Sequence, residues 1–395
     1  MDFETSDSQK ELAGLAREIV VGQTADSAAL CFDEKLWREL GKAGVLSAAL
    51  PESVGGSSLG FLEQCGVLIE LGRALAPAPY LHSIVLGASA IATFGTAEQQ
   101  QRWAAPAARG EILLTAAPGP ALGPGPALGG AIGGAIGGAI GGAIGGAIGG
   151  AIGGANGGAN GGANGSIAQS TSVERVDCVF ETVGAAPWAD AVLVPLDGAV
   201  YIVETSDTGV TVEPQELTDG VTAGRVVLDA ARLEALRADA DRRLGGGDVT
   251  AEWLMARGTV ALCALQLGIT ERALELTAEH ATHRVQFGRP IGTFQAVSQR
   301  LADAWIDVEA IRLTMWQAAW QLAEGLPADL AISTAKFWAA DAGHRVAHTA
   351  VHVHGGVGID ISHPVHRYFA AAKTNEFTLG HATEQLRRVG AELAK

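Results

Sequence analysis

Apolar residues in the first third of the chain recur at helical spacing. Near the N-terminus they fall at intervals of three and four residues, as in an amphipathic helix: Leu12, Leu15, Ala16, Ile19 and Val20. Asp33 stands where a capping side chain would begin a second helix. Further helical patterns lie at 60–75, 81–94 and 97–108. Together they predict a helical domain over residues 1–110.

The pattern then changes to short runs of β-branched and aromatic residues separated by turn residues. These runs lie at 112–115, 178–180, 191–194, 200–203, 210–212 and 226–228. Runs of this length and composition are typical of β-strands. They predict a middle antiparallel β domain over residues 111–235.

Long helical patterns return in the remainder of the chain, at 250–283, 292–324, 328–352 and 379–393. They predict a C-terminal helical bundle over residues 236–395. Because helices, strands and helices follow one another in blocks, the sequence predicts an α+β fold rather than a doubly wound sheet.

One segment of the middle domain is a glycine-rich insertion near residues 121–165. It runs as GGAI repeats over 129–152 and as GGAN repeats over 153–164. Glycine is entropically expensive to order and offers no side chain for packing, so a flexible loop is the preferred interpretation. An extended layer with isoleucines on one face, or a repeat that is not a faithful copy of the natural sequence, are the alternatives.

Composition narrows the possible functions. The 395 residues are enough for two or three domains with cores of their own. No long apolar run near the N-terminus indicates a signal peptide or membrane span, and the four cysteines form no CxxC pair, so we expect a reduced cytoplasmic protein. The formal net charge of -16 disfavours nucleic acid as a partner. It also means that a coenzyme A thioester would need local cations, or those of another subunit.

The clearest candidate chemistry is the stretch RVQFGRPI, which begins at Arg284. Arg284 falls at the end of the predicted helix 250–283, where its guanidinium could fork onto a phosphate. Phe287 could lie against a flat ring, and Gly288 leaves room for a ligand. The alternative is a helix-end cation, a core aromatic and a C-cap glycine, and spacing alone favours that alternative.

A row of histidines precedes the second candidate element, GGVG at 355–358. His344, His348 and His352 are each one turn apart and share a helix face, which could suggest a metal. No acidic residue or cysteine stands at metal-motif spacing, so we expect packed or interfacial histidines and no metal site.

These motifs resemble the acyl-CoA dehydrogenase family. The resemblance covers nearly the whole chain in domain order and is most specific in RVQFGRPIGTFQAV, AISTAKFWAADAGH, HVHGGVG and HPVHRYFAAAK. The chain is also similar to the flavin-poor partner subunits of actinobacterial α2β2 enzymes that oxidise steroid side-chain CoA esters. The resemblance implies FAD as the cofactor and an electron-transfer flavoprotein as the acceptor.

The resemblance also implies a set of residues that touch a neighbouring subunit's FAD. In the family, the R-x-x-F-G turn and the Q-x-x-G-G element reach across a dimer interface. The corresponding residues here are Arg284, Gln286, Phe287, Gln295, His352, Gly355 and Gly356, with His352 in place of the glutamine.

The family's own flavin-binding strand is poorly matched. Its Y-x-x-T-E-P-x-x-G-S-D pattern aligns with residues 113–120, where no acidic residue or serine follows. Its tryptophan and hydroxyl segment aligns with Thr182-Val183-Gly184, which has neither in place.

The family's catalytic base is also unmatched. Removal of the α proton of an acyl thioester needs a carboxylate near the α carbon. The two positions that carry it in the family align with Leu379 and with Gly258. Glu252 lies nearly two helical turns from Gly258, and Glu376 would need a shift of register, so we expect no catalytic residue on this chain.

The sequence therefore predicts the partner subunit of a heteromeric FAD-dependent acyl-CoA dehydrogenase, inactive alone, in an α2β2 assembly whose homologous catalytic subunit binds most of the substrate. One alternative is a self-sufficient homo-oligomeric dehydrogenase with a displaced base. The other is a structural or regulatory paralogue that binds no flavin.

Overall fold

The computed structural model describes residues 6–24, 32–117 and 177–395. Its N-terminal part is helical: α1 (Asp7–Thr24), α2 (Glu34–Lys42), α3 (Phe61–Ala74), α4 (Leu81–Ala88 continuing as Ser89–Phe94) and α5 (Ala97–Gln99, Gln100–Ala104 and Ala105–Ala108). The first part of α4 has π-helical geometry. Asp33 caps α2 as predicted, because its carboxylate accepts a hydrogen bond from the amide of Leu36 at 3.0 Å. The predicted GGAI and GGAN tract lies outside the described residues.

The middle region contains two three-stranded sheets. One has the order β1–β3–β4 and the other β2–β6–β5. The strands are β1 (Leu114–Ala116), β2 (Cys178–Gly184), β3 (Ala191–Leu196), β4 (Ala199–Glu204), β5 (Val210–Glu216) and β6 (Thr222–Leu228). The prediction of a purely antiparallel domain is wrong in one detail, since β1 pairs with β3 in parallel. The chain enters β1 directly from the helical domain, and the amide of Leu114 donates to Ser83 Oγ of α4.

The C-terminal part is a bundle of long helices. After the short helix α6 (Ala230–Ala238), these are α7 (Asp248–His283), α8 (Gln295–Ala323), α9 (Asp329–His354), α10 (Pro364–Phe377) and α11 (Ala382–Leu393). Among the described residues α7 is the one helix long and apolar enough to cross a membrane by length and composition, and most of its apolar stretch is buried inside the protein, as in a core helix. The α+β fold predicted from the sequence is confirmed.

Glycines allow α3 and α7 to cross closely. A Cβ placed on Gly72 would lie 2.3 Å from the carbonyl oxygen of Leu265, and one on Gly268 would lie 2.0 Å from that of Ile69. Neither position accepts a side chain without displacing the other helix's backbone. This crossing fixes α7 against the N-terminal helices and so sets the position of Gly258 on the same helix.

Helix α10 was not predicted from the sequence. Its buried positions include alanines, Ala370 and Ala372, which make a weak apolar pattern. Pro364 occupies its first turn after a cap at His363, a position where proline is tolerated. The helix matters for function because it forms one wall of the interdomain cavity described below.

Candidate functional site

The RVQFG stretch forms a tight hairpin at the end of α7. Its strands are Val285–Gln286 and Arg289–Pro290, and its turn residues Phe287 and Gly288 have φ angles of 53° and 79°. Two positive φ angles match the right-handed twist of the flanking strands, but a phenylalanine at such a position is strained. Phe287 is 93% exposed, so the fold holds an aromatic ring in solvent. The alternative of a core phenylalanine is therefore wrong.

Arg284 lies at the base of this hairpin. It is the C-cap of α7, so the alternative that Gly288 is the cap is also wrong. Its side chain is exposed, and no ion pair joins it to an acidic residue in the described part of the chain. Nearby, Phe294 packs edge-on to Phe287 with centroids 6.1 Å apart, and the Arg289 guanidinium lies 4.3 Å over the Phe294 ring. The hairpin thus presents an aromatic ring that packs on Phe294, with Arg284 at its base.

The second candidate element ends α9. Gly355 caps this helix with φ 64°, and a Cβ on Gly356 would meet no atom within 4 Å. His354 packs the end of α9 against the last turn of α7, since its ring stacks on that of His280 with centroids 4.3 Å apart. Burial lowers the pKa of both imidazoles, which keeps them neutral near pH 7 and allows them to stack.

The seven residues predicted to touch a neighbouring subunit's cofactor are all exposed, and they lie on the hairpin, at the first residue of α8 and at the C-terminal end of α9. We call them the lending face: Arg284, Gln286, Phe287, Gln295, His352, Gly355 and Gly356. They would offer a cation, side-chain amides, a flat ring and open backbone to a ligand from outside the chain.

The predicted histidine row divides between packing and exposure. The His344 ring is tilted against that of His348 with centroids 4.3 Å apart, and His348 packs edge-on against Phe369. His344 Nδ1 lies 3.1 Å from the carboxylate of Glu376, whereas His352 is exposed. Within the residues that the structure describes, no group of three histidine, cysteine or acidic side chains is placed to hold a metal ion.

A separate cavity of about 270 Å³ lies where the N-terminal helices, the β region and the C-terminal helices meet. Gly258 of α7 and Leu379 of the turn before α11 both line it. A Cβ on Gly258 would lie 3.6 Å from Leu379 Cδ1, so the two positions that align with the family's base are neighbours in space. Leu379 has φ 59°, a strained conformation that marks a structurally determined turn.

The segment that aligns with the family's own flavin strand forms another wall of this cavity. The hydroxyl of Thr115 donates to the carbonyl of Gly184 at 2.6 Å and is therefore used within the fold. Ala116 and Ala117 line the cavity without side-chain donors. Trp188 also lines it, an aromatic wall that the sequence reasoning missed because it follows β2 in a short helical turn.

Sequence comparison matches both helical regions to known domains. Residues 6–111 match the acyl-CoA dehydrogenase N-terminal domain, and residues 245–394 match the acyl-CoA dehydrogenase C-terminal domain. Acyl-CoA dehydrogenase FadE27 of Mycobacterium tuberculosis is 44% identical over 100% of this chain and 99% of its own length. The chain belongs to the acyl-CoA dehydrogenase family.

Solved structures agree with this assignment. A chain of the ChsE4–ChsE5 complex from Mycobacterium tuberculosis matches with a TM-score of 0.82 and 43% identity, over 100% of this chain and 99% of that one. A chain of a Tcur3481–Tcur3483 steroid ACAD variant matches with a TM-score of 0.77 and 32% identity, over 98% of both chains. The acyl-CoA dehydrogenase family thus includes heteromeric and steroid-directed proteins that are similar to this chain.

The two glutamates considered as displaced bases lie outside the cavity lining. Glu252 is exposed on α7. Glu376 accepts from Lys373 Nζ at 2.5 Å and faces His344. Burial acts to raise its pKa, but these two partners outweigh burial and hold the pKa of Glu376 below its usual range. A carboxylate stabilised in this way is a weak base.

Sequence reasoning missed one acid at the cavity. Asp219, in the turn between β5 and β6, is the acidic residue among the described residues of the lining. Burial raises its pKa, and its carboxylate accepts a hydrogen bond from the amide of Val221. Its sequence signal is weak, because Asp219 has the pattern of an ordinary turn residue before Gly220.

A buried lysine fixes the turn that carries Leu379. Lys336 of α9 has no exposed surface, and its Nζ donates to the carbonyl oxygens of Asn375 and Glu376 at 2.9 and 3.3 Å. Burial lowers the pKa of its ammonium to about 8. The lysine thus caps the C-terminal end of α10 from inside the bundle and orients the chain that leads into the cavity.

Proposed function

We propose that this chain is the partner subunit of a heteromeric FAD-dependent acyl-CoA dehydrogenase, with a steroid side-chain CoA thioester as substrate. In this proposal the lending face forms one wall of a FAD site on a homologous catalytic subunit, in an α2β2 assembly. That subunit carries the base and most of the thioester pocket, and an electron-transfer flavoprotein is the acceptor. The single observation that carries the proposal is a contrast between two places. The lending face is exposed and its Arg284 has no acidic partner among the described residues, whereas the cavity is bounded by Gly258 and Leu379.

The lending face suits a flavin dinucleotide held from outside. Arg284 is free to pair with a phosphate, and Phe287 is presented where it could pack against a ring. Gly355 and Gly356 leave backbone open to close approach. The flavin, when bound, supplies the acceptor for the substrate's hydride. This chain's residues would hold and orient it.

The chain's own cavity suits a flavin poorly. The Thr115 hydroxyl is occupied by Gly184, and Ala116 and Ala117 have no polar side-chain atoms to offer. A hydrocarbon side chain at Leu379 and none at Gly258 leave an α proton without a carboxylate at either position. These features support a base supplied by another subunit.

The alternative of a self-sufficient enzyme rests on Asp219. Its carboxyl lines the cavity and has a raised pKa, both of which suit a general base. Against it, the Asp219 carboxylate already accepts a hydrogen bond from the amide of Val221 in its own turn. We therefore favour the partner-subunit function.

Coexpression tests the proposal directly. The chain purified alone should be colourless and prone to aggregate, because its lending face is uncovered. Coexpressed with the homologous subunit encoded beside it, the complex should be yellow, and native mass measurement should give α2β2 with fewer flavins than chains. A well-behaved homotetramer with one flavin per chain would support the self-sufficient enzyme, and a complex without flavin would support the structural paralogue.

A further inference from the structure

The interdomain cavity contains a polar group that the proposed function does not use. His82 lies at the start of α4, and the accessible part of its ring lines the cavity. Neither ring nitrogen has a hydrogen-bond partner among the residues that the structure describes. Burial lowers the pKa of His82 to about 4, so the imidazole is neutral at pH 7 and offers one donor and one acceptor.

Close packing holds this imidazole in place. A Cβ on Gly184 would lie 2.2 Å from His82 Cε1, so the ring rests directly on the backbone of β2. His82 is half-buried, and polar side-chain atoms packed into a protein wall usually have a hydrogen-bond partner. The imidazole packs on β2, and its nitrogens have no partner in the described part of the chain. It is therefore placed to hydrogen bond to a molecule inside the cavity.

The rest of the wall defines the chemistry of that molecule. The lining is mainly aliphatic and aromatic, and its apolar members include Leu71, Leu75, Leu86, Trp188, Leu262 and Leu265. Arg367 is exposed and Asp219 is half-buried. They are one cation and one anion among the described lining residues, so the site lacks the set of cations that a polyphosphate such as coenzyme A requires.

We propose that this cavity binds, without reacting with it, an uncharged and largely hydrocarbon ligand, one ketone or hydroxyl oxygen of which hydrogen bonds to His82. The apolar wall takes the hydrocarbon body and His82 selects for the oxygen. That the ligand is held rather than oxidised rests on the proposed function, since the base positions are Gly258 and Leu379. Binding itself does not depend on that function.

The test counts free-steroid sites on the coexpressed complex. The probe is androst-4-ene-3,17-dione, measured by equilibrium dialysis. We expect a saturable site on this chain in addition to any on the catalytic subunit. His82→Leu should weaken that site roughly fivefold to tenfold, the loss of one hydrogen bond, and Ala371→Leu should weaken it by filling the cavity. The control is His381→Gln, an exposed histidine outside the lining, which should leave binding unchanged.

Three results would overturn this inference. The first is that the complex has no steroid site attributable to this chain. The second is that His82→Leu and Ala371→Leu bind the steroid as tightly as the native complex does. The third is that free coenzyme A binds more tightly than the steroid. Flavin content and turnover, measured on the same samples, report separately on the proposed function. Native flavin content and turnover, together with no steroid binding, would contradict the steroid site and leave the proposed function standing.

Discussion

The lending face differs from Thr115 and Lys336, which flank the interdomain cavity, in where the polar groups are satisfied. On the lending face, Phe287 is almost fully exposed in a strained turn and Arg284 has no acidic partner among the described residues. Around the cavity, Thr115 and Lys336 complete their hydrogen bonds within the chain. Groups left open to the outside indicate a surface completed by another molecule, whereas satisfied groups indicate structure. Changes at the face should therefore affect the complex, and changes at Thr115 or Lys336 should affect the stability of this chain.

The largest effect is expected from removing the cation and ring of the lending face together. Each contact of this kind is typically worth about 1.5–3 kcal/mol when charge-assisted and somewhat less for a ring, so Arg284→Ala with Phe287→Ala should weaken FAD retention by about 100-fold or more. The measurement is flavin absorbance of the complex after extensive dialysis. Arg300→Ala, an exposed arginine on α8 outside the face, is the matched control and should keep its flavin. Full occupancy in the double variant would mean that Arg284 is simply a helix-end cation.

The second effect concerns Lys336, near the cavity, and is a dependence of the free energy of unfolding on pH. The pKa of Lys336 is lowered from 10.5 to about 8 by burial. Between those values the unfolded chain binds more protons than the folded one, so the lysine's contribution to stability rises with pH. Relative to Lys336→Met, the native complex should gain up to about 3 kcal/mol in free energy of unfolding from pH 8 to pH 10.5.

Urea unfolding at several pH values measures this gain. Lys10→Met, an exposed lysine of α1, is the control and should show no such trend. A difference between native and Lys336→Met that stays flat with pH would mean that the buried ammonium titrates as it does in solvent. Lys336 would then not be the buried, internally satisfied group that distinguishes the surroundings of the cavity from the lending face.

The long helices were predictable because their apolar periodicity extends over many turns. The predicted helix 250–283 is observed as Asp248–His283. Helix α10 was missed because alanines give little contrast between its faces. The parallel pairing of β1 could not be predicted either, since register and direction depend on where the preceding helices deliver the strand.

The candidate site was predictable only in part. Arg284 and Phe287 are close in sequence, so a local motif placed them together. Gly258 and Leu379 are far apart in sequence, and only the tertiary fold brings them to one cavity. The neighbouring sequence does not mark three further residues: His82, Asp219 and Lys336. Their burial and their hydrogen-bond partners depend on how distant segments pack together.

The third expected effect comes from Phe287→Asn, which should raise the stability of the chain but lower FAD retention. Asn-Gly is the preferred pair for a two-residue turn with two positive φ angles, so Phe287→Asn should relieve strain and stabilise the chain by about 1 kcal/mol. The same change removes the ring and should lower FAD retention. Phe287→Leu is the control, because it loses the ring but keeps the strained backbone. If Phe287→Asn left retention unchanged, the strained phenylalanine would have no role toward the cofactor.

The smallest effect is expected from removing the acids of this chain. Replacing a general base usually lowers a rate by about 10²–10⁴-fold. If the base lies on the catalytic subunit, Glu252→Gln, Glu376→Gln and Asp219→Asn should each leave the dehydrogenation rate of the complex within about twofold of its native value. The assay uses a steroid acyl-CoA with an electron acceptor at saturating FAD. Asp219→Asn decides most, because Asp219 lines the cavity whereas Glu376 is bound by Lys373 and His344. A collapse of rate in that variant with flavin still bound would make the cavity an active site and this chain a catalytic subunit.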